Sequence, residues 1–435
     1  MDSPTEDLAA FVSALEIGSV PPAVCSVAAQ HVLDVVAGVY ASIDIPETAS
    51  VAAIMGADDA AAAGRIAMRA HAAESDPIHA GTTVCAGLVA VPPALLFSPD
   101  GATAIAAVLA GYETVIRIGE ALGSSRLLGM GWWPTAVLGA AGAAATTARA
   151  RGLNPMETRN AIALALVQTG GLGTGAPLAP ESRNLLAANC VRTGVEAADA
   201  AARGIAGPPE PLTGDRGFLS AFGLESSPEK LLEALGDDWK IAATSLKSFP
   251  CALQAQSALA ALSDLVSRHQ LTAEDVVTIE IGLPAAMRRI VDRPGAPETR
   301  FGAAASLQFL AAACLLDGDV LPARMQDDRR GTPEMRAAMD KVRVVHAAEL
   351  DAALPAAWPA RVRITATGGE FSVECRVPPG HPEAPLAMTV TVDRFRVFSA
   401  GQIDDTAQDR MVDAVSGLSD LTDMTTISAP LRALF

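Results

Sequence analysis

Aromatic side chains are scarce in this 435-residue chain, 4% of the total, with two tyrosines and four tryptophans. A core with few rings is filled by aliphatic side chains, and alanine supplies much of the 50% hydrophobic content. Alanine packs helices closely and has the best helix propensity, so the deficit points to a helix-rich body in which strands are the minority. Positive charge is also short. Lys and Arg number 32 against 49 Asp and Glu, a net charge of -17, which argues against nucleic acid or an anionic membrane as a partner. The six cysteines form no CxxC pair and the six histidines are dispersed. That excludes the familiar zinc and iron–sulfur spacings and suits a reducing cytoplasm, with no metal expected. The opening MDSPTEDLAAF is acidic where a secretory leader is basic, which again favours the cytoplasm. The charge-free run from Leu127 to Ala148 is long enough to be weighed as a membrane span. Its glycines, threonines and Pro134 read instead as a buried helix and its start.

What is present is mostly helical pattern. From residue 5 to about 240, apolar residues recur at helical spacing between Gly and Pro breaks. GATAIAAVLAGYETVIRIGEAL (101–122) sets an apolar face against one bearing Glu113, Arg117 and Glu120, and SRNLLAANCVRTGVEAADAAARG (182–204) runs from Ser182 as N-cap to Gly204. In GMGWWPTAVLGAAGAA (129–144), Pro134 is placed as the first residue of a helix. Trp133 then falls at the N-cap, a position that suits a small polar side chain or a bound anion. After residue 245 the texture changes. VVTIEIGL (276–283), KVRVVH (341–346), ARVRITATGGEFSVECRVP (360–378) and MTVTVDRF (388–395) alternate with period two, and the third reads as a hairpin turning at Gly368 and Gly369. TRFGAAASLQFLAAACLLDG (299–318) between them is helical. The fold class is mainly α: a helical part at 1–244, a smaller α+β domain at 245–394, and a return to helix at 395–435.

Three stretches concentrate reactive groups. In HAAESDPIHAGTT (71–83), Pro77 disfavours helical geometry at Asp76, so one helix ends near Ser75 and Thr82 or Thr83 caps the next. Glu74, Asp76 and His79 share the loop between them. A carboxylate that orients an imidazole is the usual preparation for general acid/base chemistry, although a loop stitched by local hydrogen bonds uses the same residues. Lys247 in SLKSFPCALQAQSALAAL (245–262) precedes an aromatic–proline turn near the domain boundary, a place to hold a carboxylate or simply to be solvated. Arg183 in APESRNLL (179–186) lies near a helix start, against the dipole, which hints at carboxylate binding; a surface arginine reads equally well. TGGLGTGAP (169–177) lacks a GK[ST] ending and a preceding strand, so it reads as a flexible interhelical loop.

Together with HVLDVVAGVYAS, AGYETVIRIG, VQTGGL, GDRGFLSAFG, FGAAASLQFLAAACLLDG and VPPGHPEAPL, these stretches resemble in order and spacing the MmgE/PrpD family, which includes 2-methylcitrate dehydratases, cis-aconitate decarboxylases and iminodisuccinate epimerases. The likeness spans nearly the whole chain. It implies an all-helical domain formed from both chain ends, an inserted α+β lid, a homodimer, and catalysis on small di- or tricarboxylates between the domains without metal or organic cofactor. His79 matches the acidic-loop histidine, Lys247 the lysine of K-x-[YF]-P, and Asp76 one of the acidic-loop aspartates, while Glu74 stands where another aspartate is usual. Four features depart from the pattern. Trp133 replaces the histidine of G-[FW]-H-P-T, Arg183 and Leu186 replace the lysine and histidine of T-K-x-L-H, Gln256 replaces a histidine, and Phe309 a lid tyrosine. The resulting expectation is a lyase or isomerase that moves a proton α to a carboxylate, by decarboxylation, isomerisation or dehydration. His79 is the acid or base, Asp76 or Glu74 orients it, and Lys247 and Arg183 hold carboxylate oxygens. Trp133, Ser182, Gln256 and Phe309 complete a drier pocket for a more hydrophobic or bulkier substrate. The alternative is a catalytically inactive homologue acting as a binding or scaffold protein.

Overall fold

The computed structural model describes residues 3–173, 179–325, 327–354 and 357–435. It is 60% helical with one four-stranded sheet. Two separate hydrophobic cores divide the chain. The larger gathers residues from Val12 to Ile241 and then Phe395 to Leu431, so both chain ends build one helical body. The smaller runs from Cys251 to Ala366 and holds the sheet.

Proline and small polar caps set many helix starts. Asp100 accepts the N–H of Thr103 to start Gly101–Leu122, which ends at left-handed Gly123 (φ 66°). Pro134 opens Pro134–Ala150 with Trp133 as N-cap, as the sequence predicts. Pro180 opens Pro180–Ala202, so the cap is Ala179 rather than Ser182. Proline's fixed φ takes the first helical position, and exposed Ser182 donates back to the Ala179 carbonyl (2.7 Å). Most of the polar face of Gly101–Leu122 is not solvated, and only Glu120 of its three charged residues is partly exposed. Glu113 and Arg117 are fully buried and paired (2.6 Å), and Arg117 also donates to the carbonyls of Glu233 and Asp238.

The sheet order is β2-β1-β3-β4. β1 (Val276–Leu283) pairs parallel with β2 (Val342–His346) and antiparallel with β3 (Ala360–Ala366). The expected hairpin joins β3 to β4 (Gly369–Cys375) across Thr367 and Gly368. The fourth expected strand is absent. Met388–Ser399 is a helix that puts Thr391, Phe395 and Phe398 on one buried face against Pro22–Ala41. Phe395 meets Tyr40 edge-on (5.9 Å), Gln30 donates to Thr391 (2.9 Å), and Arg394 pairs with fully buried Asp34. Tertiary contact therefore overrides the β-branched run. The chain rejoins the helical core from Met388, short of the expected boundary at 395.

Two helices, Pro22–Ala41 and Gly101–Leu122, are long and apolar enough to cross a membrane, yet 72% and 89% of their apolar windows lie buried inside the protein.

Candidate active site

The loop after the helix Asp59–Ala72 is folded back by one unusual residue. Glu74 adopts a left-handed backbone (φ 57°), and its N–H reaches the His71 carbonyl (2.9 Å). Such a conformation costs a non-glycine residue energy and is often kept at functional sites. The helix therefore stops at Ala72, short of Ser75, and the loop turns toward residues 245–247. There Ile78 and Ser245 exchange backbone hydrogen bonds (3.0 and 2.9 Å). Leu246 donates to the Gly380 carbonyl (2.9 Å), and only glycine fits at 380, because a Cβ there would lie 1.9 Å from the Leu246 oxygen. Neither Thr82 nor Thr83 caps the next helix, Ala86–Phe97. Its N-cap is Cys85, whose N–H is accepted by the Thr135 hydroxyl (3.0 Å), while Thr82 bonds His79 instead.

This stitching creates a buried polar cluster. The Lys247 ammonium donates to the Glu74 carbonyl (2.9 Å) and lies 3.5 Å from Asp76 Oδ1 and 3.8 Å from Glu74 Oε2. Asp76 Oδ2 is 3.3 Å from His71 Nδ1. Arg183 Nε donates to His71 Nε2 (2.7 Å). A guanidinium is always a donor, so Nε2 carries the lone pair and Nδ1–H faces Asp76. The Arg183 guanidinium also lies over the Trp133 ring (4.3 Å) and over the Phe301 ring (4.8 Å), and Trp133 packs on His71 (4.8 Å). Trp133 makes no capping bond; its ring is the wall between this cluster and the helical core.

Burial alone would raise the Asp76 carboxyl, but Lys247 and then His71 outweigh it and hold it well below the usual carboxylate range. Burial alone would lower Lys247, and Asp76 and Glu74 outweigh that too, so its ammonium persists. Lys247 is thus a fixed cation and cannot serve as a base near neutral pH. His71, Asp76 and Cys85 also bring three potential metal-ligand atoms within 4.8 Å of one another, a cluster the dispersed sequence spacing did not reveal. The donors do not suit a cation. Lys247 and Arg183 already occupy Asp76 and His71 with positive charge, and burial pushes the Cys85 thiol well up, away from a ligating thiolate.

His79 stands apart, contrary to expectation. Its Nδ1 meets the Thr82 hydroxyl (2.9 Å), and its Nε2 lies 3.9 Å from Glu120, which pairs with Lys240 (3.1 Å). Asp76 orients His71 rather than His79. Burial pulls His79 down to about 4 against the opposing pull of Glu120, so it is neutral at neutral pH.

Two domain models, the MmgE/PrpD N-terminal domain at residues 56–230 and the C-terminal domain at 249–420, match the chain on either side of this junction. The chain belongs to the MmgE/PrpD family. Relatives include the cis-aconitate decarboxylase-like protein oryM of Aspergillus oryzae, 25% identical over 346 residues (76% of this chain, 71% of that protein). The cis-aconitate decarboxylase of Mus musculus is 26% identical over 311 residues (69% and 62%), and that of Aspergillus terreus 25% identical over 346 (75% and 70%). The chain thus spans a little under two thirds of the mouse protein.

The other expected site residues of this MmgE/PrpD member are scattered. Gln256 is buried and clamps the turn after Lys247, accepting from Phe249 N–H (3.0 Å) and donating to the Phe249 carbonyl (2.8 Å). With Lys247, Trp358 and His381 it lines a small pocket. Phe309 is fully buried in the smaller core, so it braces that core rather than facing a ligand. Ser182 is exposed on the outer side of its helix start. The glycine-rich stretch 169–177 is described as far as Gly173, where Gly171 O accepts from Trp133 N–H (3.0 Å); residues 174–178 lie outside the described residues. His71 was missed by sequence reasoning although it opens the acidic stretch. Its signal was its spacing, three residues before Glu74 and five before Asp76.

Proposed function

We propose that the protein is a lyase or isomerase that transfers a proton α to a carboxylate of a small carboxylic acid, with no metal or organic cofactor. The carrying observation is the buried array of an imidazole oriented by a carboxylate and flanked by two fixed cations: His71 between Asp76 and Arg183, with Lys247 on Asp76. Lys247 and Arg183 take the substrate carboxylate and stabilise the enolate-like charge that forms when the α-proton leaves. Arg183 spends Nε on His71, and its Nη groups, stacked between the Trp133 and Phe301 rings, make no hydrogen bond among the described residues. A substrate carboxylate that draws the guanidinium away uncovers His71 Nε2 as the base. His79, neutral and nearer the surface, is the second proton-transfer group. The family membership and the decarboxylase relatives support this chemistry, and the Trp133 wall favours a substrate with a more apolar body than citrate-like acids. In the same reading the smaller unit acts as a lid, and the protein works as a cytoplasmic homodimer.

Proton NMR in deuterated water tests this directly. Incubation with cis-aconitate and a panel of related di- and tricarboxylates is expected to show deuterium entering α to a carboxylate, or loss of a carboxylate. His71→Gln should slow either change about a hundredfold, the usual size of a general acid/base contribution. Binding without exchange or turnover across the panel would favour the scaffold reading.

A further inference from the structure

Arg300 is the first residue of the short helix Arg300–Ala304 in the smaller core, and only 4% of its surface is exposed. Its Nε and Nη1 are both buried without a hydrogen-bond partner. Guanidinium stays charged in proteins, and burying such a charge unpaired is strongly unfavourable, so a side chain of this kind is costly to retain unless something pairs with it. Its setting shows where that partner comes from. The next residue, Phe301, lies under the Arg183 guanidinium (4.8 Å), whose other neighbour is Trp133 of the active-site wall (4.3 Å). Burial pulls the Arg300 guanidinium down; the carboxylate of Glu74 in the same cluster opposes this most, followed by that of Glu47, and neither hydrogen-bonds Nε or Nη1. Glu74 is already shared by Lys247 (3.8 Å) and His71 (3.6 Å).

We propose that Arg300 is a second anion-binding residue of the active site, which receives a substrate carboxylate other than the one held by Lys247 and Arg183. This rests on the proton-transfer reading above and deepens it by naming the residue that seats the second carboxylate of the di- or tricarboxylate substrate that the family resemblance implies. Arg300 comes from the smaller unit and Arg183 from the helical body, so one ligand bridges the two cores.

Titration calorimetry with cis-aconitate and with the monocarboxylate crotonate, on wild type, Arg300→Met and Arg300→Lys, tests the assignment. Thermal unfolding without ligand is the structural control. Arg300→Met should weaken cis-aconitate about 10- to 100-fold, the worth of a charge-assisted contact. It should leave crotonate within about threefold, and the unliganded midpoint unchanged or higher, because an unpaired buried charge has been removed. Arg300→Lys should restore part of the lost affinity. Cis-aconitate affinity that is equal in wild type and Arg300→Met would overturn the role of Arg300 alone. So would a lowered unliganded midpoint in both variants with equal losses for both acids, which is the mark of a structural residue. Wild type that binds neither acid would overturn this inference together with the carboxylate-substrate reading on which it rests.

Discussion

Trp133 sits on the N-terminal end of Pro134–Ala150, where an imidazole would serve a polar ligand, and gives its face to Arg183 instead. The ring fixes the guanidinium without lending it a hydrogen bond; such a contact is worth about 2 kcal/mol or more when desolvated. Trp133→His exchanges that seat for a polar donor at the positive end of the helix dipole. Titration calorimetry is expected to show tighter cis-aconitate binding, and kinetics a slower native reaction. Unchanged values for both would show that the ring serves only the core. His79 allows a separate test by pH. Its folded value near 4 lies below the unfolded value of 6.5, so its contribution to stability is present above pH 6.5 and lost as pH falls toward 4. Between pH 7 and 4.5, urea unfolding should show wild type losing on the order of 2–3 kcal/mol more than His79→Gln. Equal losses would mean that His79 is solvated in the folded protein.

At the scale of elements, helix starts were legible where proline fixes the backbone, as at Pro134, and the β3–β4 hairpin was legible from its alternation and glycines. The acidic loop was legible as a place but not as a geometry. Which carboxylate meets which imidazole depends on the left-handed turn at Glu74 and on the Ile78–Ser245 bridge, and neither leaves a mark in spacing. Arg300 was illegible for the same reason, since an unpaired arginine is defined by what surrounds it. Met388–Ser399 misled because its first five residues favour strand, whereas its partner, Pro22–Ala41, lies far away in sequence. The ion pair across that contact makes a prediction. Burial pushes Asp34 up to about 6 although Arg394 opposes it. Arg394→Met leaves the carboxyl buried without its cation and should cost about 3–5 kcal/mol at neutral pH. Asp34→Asn combined with Arg394→Met should recover most of that in denaturant melts. No recovery would locate the loss in packing of the arginine stem.

For the whole molecule, the low aromatic content proved a sound guide, because alanine-rich helices fill the larger core and rings are spent at a few contacts such as Trp133 and Phe395. Two cores within one chain also set an order of events during synthesis. The larger core needs Phe395, Met411 and Leu431 as well as residues near the start, and the Asp34–Arg394 pair closes a separation of 360 residues. The smaller core is complete once β4 has emerged and Phe371, Val373 and Cys375 have packed on it. On the ribosome the smaller core can therefore close while the helical body still waits for its last segment, with its apolar surface open to chaperones until the final helices arrive.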